Sequence, residues 1–339
     1  MPGAEPPLGA GAEPLGVALV GLGWWGRTIF PLLQGSAKLR VCVAVDPQAS
    51  PVPGVPFLKN YEDALRDPQV EAVILCTPHS QHCEQIVRAA RAKKHVFCEK
   101  PLGLSRLEAL RAVEACNAGN VALAVGHEKR FEPPVVELFR LLKAGELGTP
   151  LQVEANFSQD KFLSLAPGNW RTSEKEAPAG PMTATGIHLL DLSVGVFGRA
   201  ARVFASVKQL ASGLANGDTL GVLVNFESGG NALLSAILAT PFDGRFAVYG
   251  SKGWAEVRDK AHPEDPRGWT LTVSARGSKK KIIDYQPAKA VLANLEAFAD
   301  AARGRAPYPV AQSEMLANVA ALEAVFNAAR SGKVEEVVN

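Results

Sequence analysis

Val17-Ala18-Leu19-Val20-Gly21-Leu22-Gly23-Trp24-Trp25-Gly26 is the stretch on which the fold of this chain turns. The apolar run before Gly21 has the character of a strand buried on both faces, and Arg27 to Leu33 reads as the opening of a helix. Val41 to Val45 forms a second strand, and Asp46 ends it 20 residues after Gly26. Such a turn brings backbone N–H groups against a pyrophosphate. Gly21 supplies the bend, Gly23 leaves the phosphate unobstructed, Gly26 lets the helix pack close to the strand, and the helix N-terminus adds partial positive charge. A carboxylate where Asp46 stands accepts hydrogen bonds from the ribose hydroxyls of an adenosine, so the reading is dinucleotide binding. Asp46 also repels a 2′-phosphate, and Pro47-Gln48 brings no arginine to attract one, which favours NAD over NADP.

At 339 residues the chain fits two domains of ordinary size. With 47% hydrophobic and 21% charged residues it has a globular composition, and a net charge of +2 supplies no basic field for nucleic acid or an anionic membrane. The apolar stretches are interrupted, as at His188 and Asp191, short of the ~20 residues of a membrane span. Residues 1–15, rich in Pro, Gly and Ala, read as a disordered tail with no export signal. The five cysteines, Cys42, Cys76, Cys83, Cys98 and Cys116, lie mostly in apolar runs, suit reduced core thiols, and point to a cytoplasmic protein.

Beyond Asp46 the chain alternates strands and helices. Glu71 to Cys76 is a buried strand ending in Thr77-Pro78-His79, which should line the crevice at the carboxyl ends of a parallel sheet. His79, His82 and Cys83 are not followed by a second ligand pair at zinc-site spacing, so no metal is expected. A helix from Gln81 to Lys94 buries Ile86, Val87, Ala89 and Ala90, and His95 to Cys98 leads into Glu99-Lys100-Pro101. Lys100 is either a surface charge or, at a crevice mouth, an ammonium that polarises a substrate oxygen. Leu104 to Ala118 is a further helix with Leu104, Leu107, Leu110 and Val113 as its buried face, and Val121 to Val125 precedes Gly126-His127-Glu128-Lys129-Arg130-Phe131.

From residue 128 the pattern changes. A helix opened by Pro133-Pro134 bridges to eight segments of strand character, from Leu151–Ser158 to Lys281–Tyr285, spaced as in a mostly antiparallel sheet. Helices at Leu292–Ala302 and Ser313–Ala329, the latter capped by Ser313, close the chain. A long polar connection, Gln159 to Pro181, carries Trp170-Arg171, and the helix after it carries His188 and Asp191. His188 is either an ordinary core histidine or, with a pKa near neutrality, the proton acceptor of this segment. The fold expected is α/β: a doubly wound parallel sheet over 16–127, then an α/β domain with a large, mostly antiparallel sheet over 128–339.

Gly21-Leu-Gly-Trp-Trp-Gly26, Cys76-Thr-Pro-His-Ser-Gln-His82, Lys94-His-Val-Phe-Cys-Glu-Lys-Pro101, Gly148, Trp170-Arg171, Gly186-Ile-His188-Leu-Leu-Asp191 and Gly250-Ser-Lys-Gly253 together resemble the Gfo/Idh/MocA family of glucose-fructose oxidoreductase and inositol dehydrogenase. The likeness covers essentially the whole chain after the tail. It implies a Rossmann domain and an NAD(P)-dependent oxidoreductase that moves a hydride between nicotinamide and a secondary alcohol or ketone of a sugar or cyclitol. It implies that Lys100 polarises the reacting oxygen, that Glu99 contacts the nicotinamide ribose, and that His188 is the acid–base. A cis bond before Pro101 and a homo-oligomer, dimer or tetramer, belong to the same expectation. Residue reading and resemblance together assign cofactor binding to Gly21, Gly23, Trp24, Trp25, Gly26, Asp46, Thr77, Pro78, His79, His82, Glu99 and Lys100. They assign substrate binding to Lys129, Arg130, Trp170, Arg171, His188 and Asp191. One residue departs from the pattern: inositol dehydrogenase-type members carry an aspartate four residues before the histidine, and here that position is Ala184, with Asp191 as a possible substitute. A dinucleotide-sensing regulatory protein and a glycosidase using NAD transiently are the other readings.

Overall fold

The structure, a computed structural model, describes residues 13–339. The expected tail lies outside the described residues except for its last three, and of these Leu15 already begins the first strand.

The first sheet is built from β1 (Leu15–Val20), β2 (Leu39–Val45), β3 (Phe57–Leu58), β4 (Ala72–Leu75), β5 (His95–Cys98) and β6 (Leu123–Val125), all parallel, in the order β3-β2-β1-β4-β5-β6. Strand order reverses between β1 and β4, so the crevice of an open α/β sheet falls between Gly21, after β1, and Thr77, after β4. Every residue of β1 and β4 is buried because helices cover both faces. These helices are α1 (Trp24–Gln34), α2 (Tyr61–Arg66), α3 (His82–Arg91) and α4 (Arg106–Gly119).

α4 corrects the expected buried face. Ser105 caps the helix by accepting the Glu108 N–H, which leaves Leu104 outside it, and Leu107 is 72% exposed. The buried face is Ala109, Ala112, Val113 and Cys116. α4 lies so close to α3 that a Cβ at Gly119 would sit 2.7 Å from the Ala90 carbonyl oxygen, so small side chains pack there and the leucine points away.

The second sheet has nine strands. After α5 (Pro133–Lys143) come β7 (Pro150–Ser158), α6 (Ile187–Phe197), β8 (Ala200–Lys208), β9 (Thr219–Phe226), β10 (Asn231–Ile237), β11 (Asp243–Gly250), β12 (Gly253–Asp259), β13 (Trp269–Ala275) and β14 (Lys281–Tyr285). Then follow α7 (Ala290–Ala302), α8 (Gln312–Ser331) and β15 (Glu335–Glu336), giving the order β14-β13-β12-β11-β7-β10-β9-β8-β15. All pairs are antiparallel except β10 with β7. Val203, Val224 and Ala232 form one inward cross-strand row under α6 and α8, while Phe204, Leu223 and Leu233 lie on the opposite, exposed face.

Two details of the C-terminal helices differ from the sequence reading. α7, assigned to the second domain, packs Leu295, Phe298 and Ala299 into the core of the first, with Phe298 edge-on to Phe97 at 5.9 Å. α8 starts after Ala311, whose N–H is taken by the Glu314 carboxylate, so Ser313 lies inside the first turn and is not the cap.

Candidate active site

A cleft opens where the carboxyl ends of the first sheet face α6 and the loops of the second. Gly21 has φ +92°, and a Cβ there would stand 2.6 Å from the Cys76 carbonyl oxygen. At Gly26 a Cβ would collide with the Gly21 carbonyl, so only glycine lets α1 sit against the turn. Gly23 has open space above it. No side chain caps α1 and its first turn holds no acidic residue, so its orphan N–H groups remain for an anion. Asp46 accepts the Leu22 N–H at 2.7 Å and those of Gln48 and Ala49 at 2.8 and 2.7 Å. Burial opposes its charge, but these three donors hold it below the usual carboxylate range. Pro47-Gln48 brings no arginine, but Arg27 of α1 reaches this corner and donates to the carbonyls of Leu22 and Ser50. These residues fit a dinucleotide.

Of the other residues assigned to the cofactor, Trp24, Trp25, Thr77, His79, Glu99 and Lys100 line the cleft. Pro78 only introduces the short turn His79–Gln81. His82 is a correction: it is wholly buried beneath the floor, with Nδ1 2.7 Å from the Pro101 carbonyl oxygen and Nε2 3.0 Å from that of Thr77. It braces the Thr77 loop against the Lys100–Pro101 bond, which is cis.

The deepest corner gathers Glu99, Lys100, Glu128 and His188. Met182–Gly186 is a π-helical turn leading into α6, and Lys100 Nζ donates to its carbonyls at Ala184 (2.8 Å) and Thr183 (3.3 Å). An ammonium has three N–H bonds, so one remains for the cleft. Burial lowers the Lys100 pKa against the pull of Glu128 and Glu99. Burial, reinforced by the Glu128 charge, pushes Glu99 up to about 7. Glu128 is likewise raised by burial, against the attraction of Lys100. Burial and then Lys100, His127, Lys129 and His262 push His188 well below its ordinary value, so its imidazole is neutral at physiological pH. Its Nδ1 is buried without a hydrogen-bond partner, 3.6 Å from Glu128 Oε2.

The loop from Gln159 to Pro181 roofs the cleft and is pinned to the first domain. Trp170 packs edge-on against His79 at 4.7 Å, and the Arg171 guanidinium lies over the rings of Trp170 (4.2 Å) and Trp24 (5.4 Å). His79 Nδ1 donates to the Glu176 carbonyl, and Asn216 donates to those of Arg171 and Ala177. Burial lowers Arg171 to about 10, and no carboxylate among the described residues pairs with it. His262 and Glu264, from the β12–β13 connection, complete the wall with Lys161 between them at 2.9 and 2.7 Å.

Three residues assigned to the substrate do not reach the cleft. Lys129 Nζ is enclosed by Asp259 at 3.0 Å and Glu132 at 3.2 Å. Arg130 holds Asp191 through Nε and Nη2 (2.7 and 3.1 Å) and Glu314 through Nη1, in a seat where a Cβ at Gly195 would clash. Asp191 is therefore committed to Arg130 and cannot stand in for the aspartate absent at Ala184. Glu128, Gln159, His262 and Glu264 are lining residues that the sequence reading did not single out. Glu128 had a signal: it stands three residues past β6, and Glu99 directly follows β5, both at the carboxyl end of a parallel strand. Among the described residues no three His, Cys, Asp or Glu side chains are grouped to hold a metal, and no helix is long and apolar enough to cross a membrane.

A doubly wound nucleotide domain and a sheet domain meeting over a buried lysine, histidine and two carboxylates define a two-domain dinucleotide-dependent class. Comparison specifies it. Residues 15–127 match the oxidoreductase family with an NAD-binding Rossmann fold, and 135–256 match the GFO/IDH/MocA C-terminal domain. The chain is 30% identical over 72% of its length to scyllo-inositol 2-dehydrogenase (NAD(+)) of Bacillus subtilis (strain 168), covering 71% of that protein. It is 31% identical to the uncharacterized oxidoreductase YrbE of the same organism, over 60% of each chain. With the first of the curated relatives, the match thus spans about 60% of their length. The fold of aldose-aldose oxidoreductase from Caulobacter crescentus, crystallised with glycerol, superimposes with a TM-score of 0.83 at 24% identity over 96% of this chain and 100% of that one. The chain belongs to the Gfo/Idh/MocA oxidoreductase family.

Proposed function

We propose that this protein is an NAD(P)-dependent dehydrogenase or reductase acting on a secondary alcohol or ketone of a sugar, cyclitol or related polyol, with NAD the preferred cofactor. The observation that carries the reading is the corner itself, with an ammonium holding one free N–H and a neutral imidazole on the walls of one cleft. The glycine turn and α1 would hold the pyrophosphate, Asp46 the adenosine ribose, and Glu99 the ribose nearer the lysine. When bound, a nicotinamide supplies the acceptor or donor of hydride.

In oxidation, Lys100 donates its remaining N–H to the substrate oxygen and stabilises the negative charge that grows there. The hydroxyl proton goes to His188. Because Nδ1 is buried, Nε2 is the nitrogen that takes it. In reduction the same atoms act in reverse. Phe157, Phe162 and Trp170 offer apolar faces, and Gln159, Thr185, His262 and Glu264 offer hydrogen-bonding groups, a mixture suited to a polyhydroxylated ring. The roof loop excludes water. Lys100→Met and His188→Ala are expected to keep NAD affinity, read by fluorescence titration, and to lose on the order of 10²- to 10⁴-fold in kcat. Undiminished turnover by either variant would remove that residue from the mechanism.

A further inference from the structure

The geometry points to Glu128 as the positioning residue for His188: a carboxylate from the turn after β6 that fixes the imidazole tautomer and stabilises its cation, in the role Ala184 cannot fill. The inference rests on the reading of His188 as proton acceptor. A catalytic imidazole needs a partner behind it, because the nitrogen that takes the proton is fixed only if the other holds its hydrogen toward an acceptor.

Among the described residues, the surroundings of His188 leave one such partner. Ala184, one helical turn before it, has no acceptor, and Asp191, one turn after it, is held by Arg130. His127 stands edge-on at 6.0 Å, and Phe157, on β7, presents an apolar ring at 6.0 Å. Lys100, Lys129 and His262, from three further segments, all disfavour protonation. Glu128 Oε2, 3.6 Å from the partnerless Nδ1, is the carboxylate that faces the ring. It lies a few tenths of an ångström beyond hydrogen-bond distance, a gap that a small side-chain rotation closes.

The arrangement has a consequence absent when the carboxylate shares a helix with the histidine. Glu128 belongs to the turn after β6, and His188 belongs to α6 of the second domain. The pair therefore forms only while the turn after β6 and α6 hold this relative position. Glu128 also balances Lys100, so one carboxylate serves both reacting groups.

The test reads His188 directly. In full-length protein with NAD and ¹⁵N-labelled histidine, the His188 resonance is assigned by its loss in His188→Gln. It is expected to report Nδ1–H in the parent and a mixed or reversed tautomer in Glu128→Gln. Kinetically, Glu128→Gln is expected to lower kcat on the order of 10- to 100-fold and leave KM within about 2-fold, the pattern of an interaction made mainly in the transition state. The acid limb of kcat should move down by about one pH unit, because losing the negative charge makes the imidazole harder to protonate. Adding Ala184→Asp to Glu128→Gln should restore most of kcat. An unchanged tautomer in Glu128→Gln, or a rise in KM alone, would overturn the assignment. If instead His188→Ala turns over normally while the tautomer still follows Glu128, the proton-acceptor reading fails and the pairing stands.

Discussion

Gly26 shows how far a single residue can be read. Its need was visible in the spacing of the turn, and the structure adds the reason, because any Cβ there would collide with the Gly21 carbonyl. Gly26→Ala is expected to push α1 off the strand and weaken NAD binding by at least about 10-fold, since the N–H groups of α1 lose their aim; an unchanged Kd by calorimetry would contradict this. Charged residues were less legible. Lys129 and Arg130 stand in the segment expected to face substrate, but whether a cation faces solvent, substrate or a counter-ion depends on what the rest of the chain brings. Asp259 arrives from 130 residues away to enclose Lys129, and Asp191 arrives from 61 away to hold Arg130. Glu128 is legible only through its place past the end of β6, a place that Lys129 and Arg130 share.

At the scale of elements, strand identity was legible because alternation and length suffice to mark it. Thr219–Phe226 and Lys281–Tyr285 have the bounds read from sequence, while α4 departs from its leucine periodicity because its buried face is made of small residues. Close helix contact selects small residues, and no periodicity of large ones reports it. The roof loop was legible only as a long polar connection. Its shape comes from Asn216, which donates to two loop carbonyls while its own backbone carbonyl accepts the Gly180 N–H. Asn216→Ala strands two loop carbonyls and is expected to cost about 1–3 kcal/mol, measured by urea unfolding, and to raise KM more than it lowers kcat. Unchanged stability and KM would mean that the loop holds itself.

At the scale of the whole molecule, burial sets a pH response that composition cannot supply. All six histidines have pKa values below the ordinary one, with burial the first cause in each, His127 falling to about 4 and His262 to about 3. An unfolded chain protonates its histidines near pH ~6.5 and the folded chain does not, so the unfolded state binds more protons and stability falls as pH drops below that value. Glu99, Glu128 and Glu132, raised by burial, act oppositely by keeping protons that the unfolded chain releases near pH ~4.5. The histidines are the more numerous, so Tm is expected to fall between about pH 7 and 5.5, with a net uptake of protons on unfolding. A flat Tm over that window would contradict the buried, neutral state of these histidines. The two-domain plan and family were legible in the motifs, and the closing of the second domain over the first, through Trp170, Arg171 and His79, was not. The most direct test of the proposed hydride chemistry is formation of reduced nicotinamide, followed by its absorbance, with inositols, aldoses, aldonates and amino sugars against NAD and NADP in parallel. Reduction by at least one polyol, faster with NAD and abolished in Lys100→Met, is the result expected. Silence across the panel, with NAD binding confirmed separately, would contradict the proposed dehydrogenase.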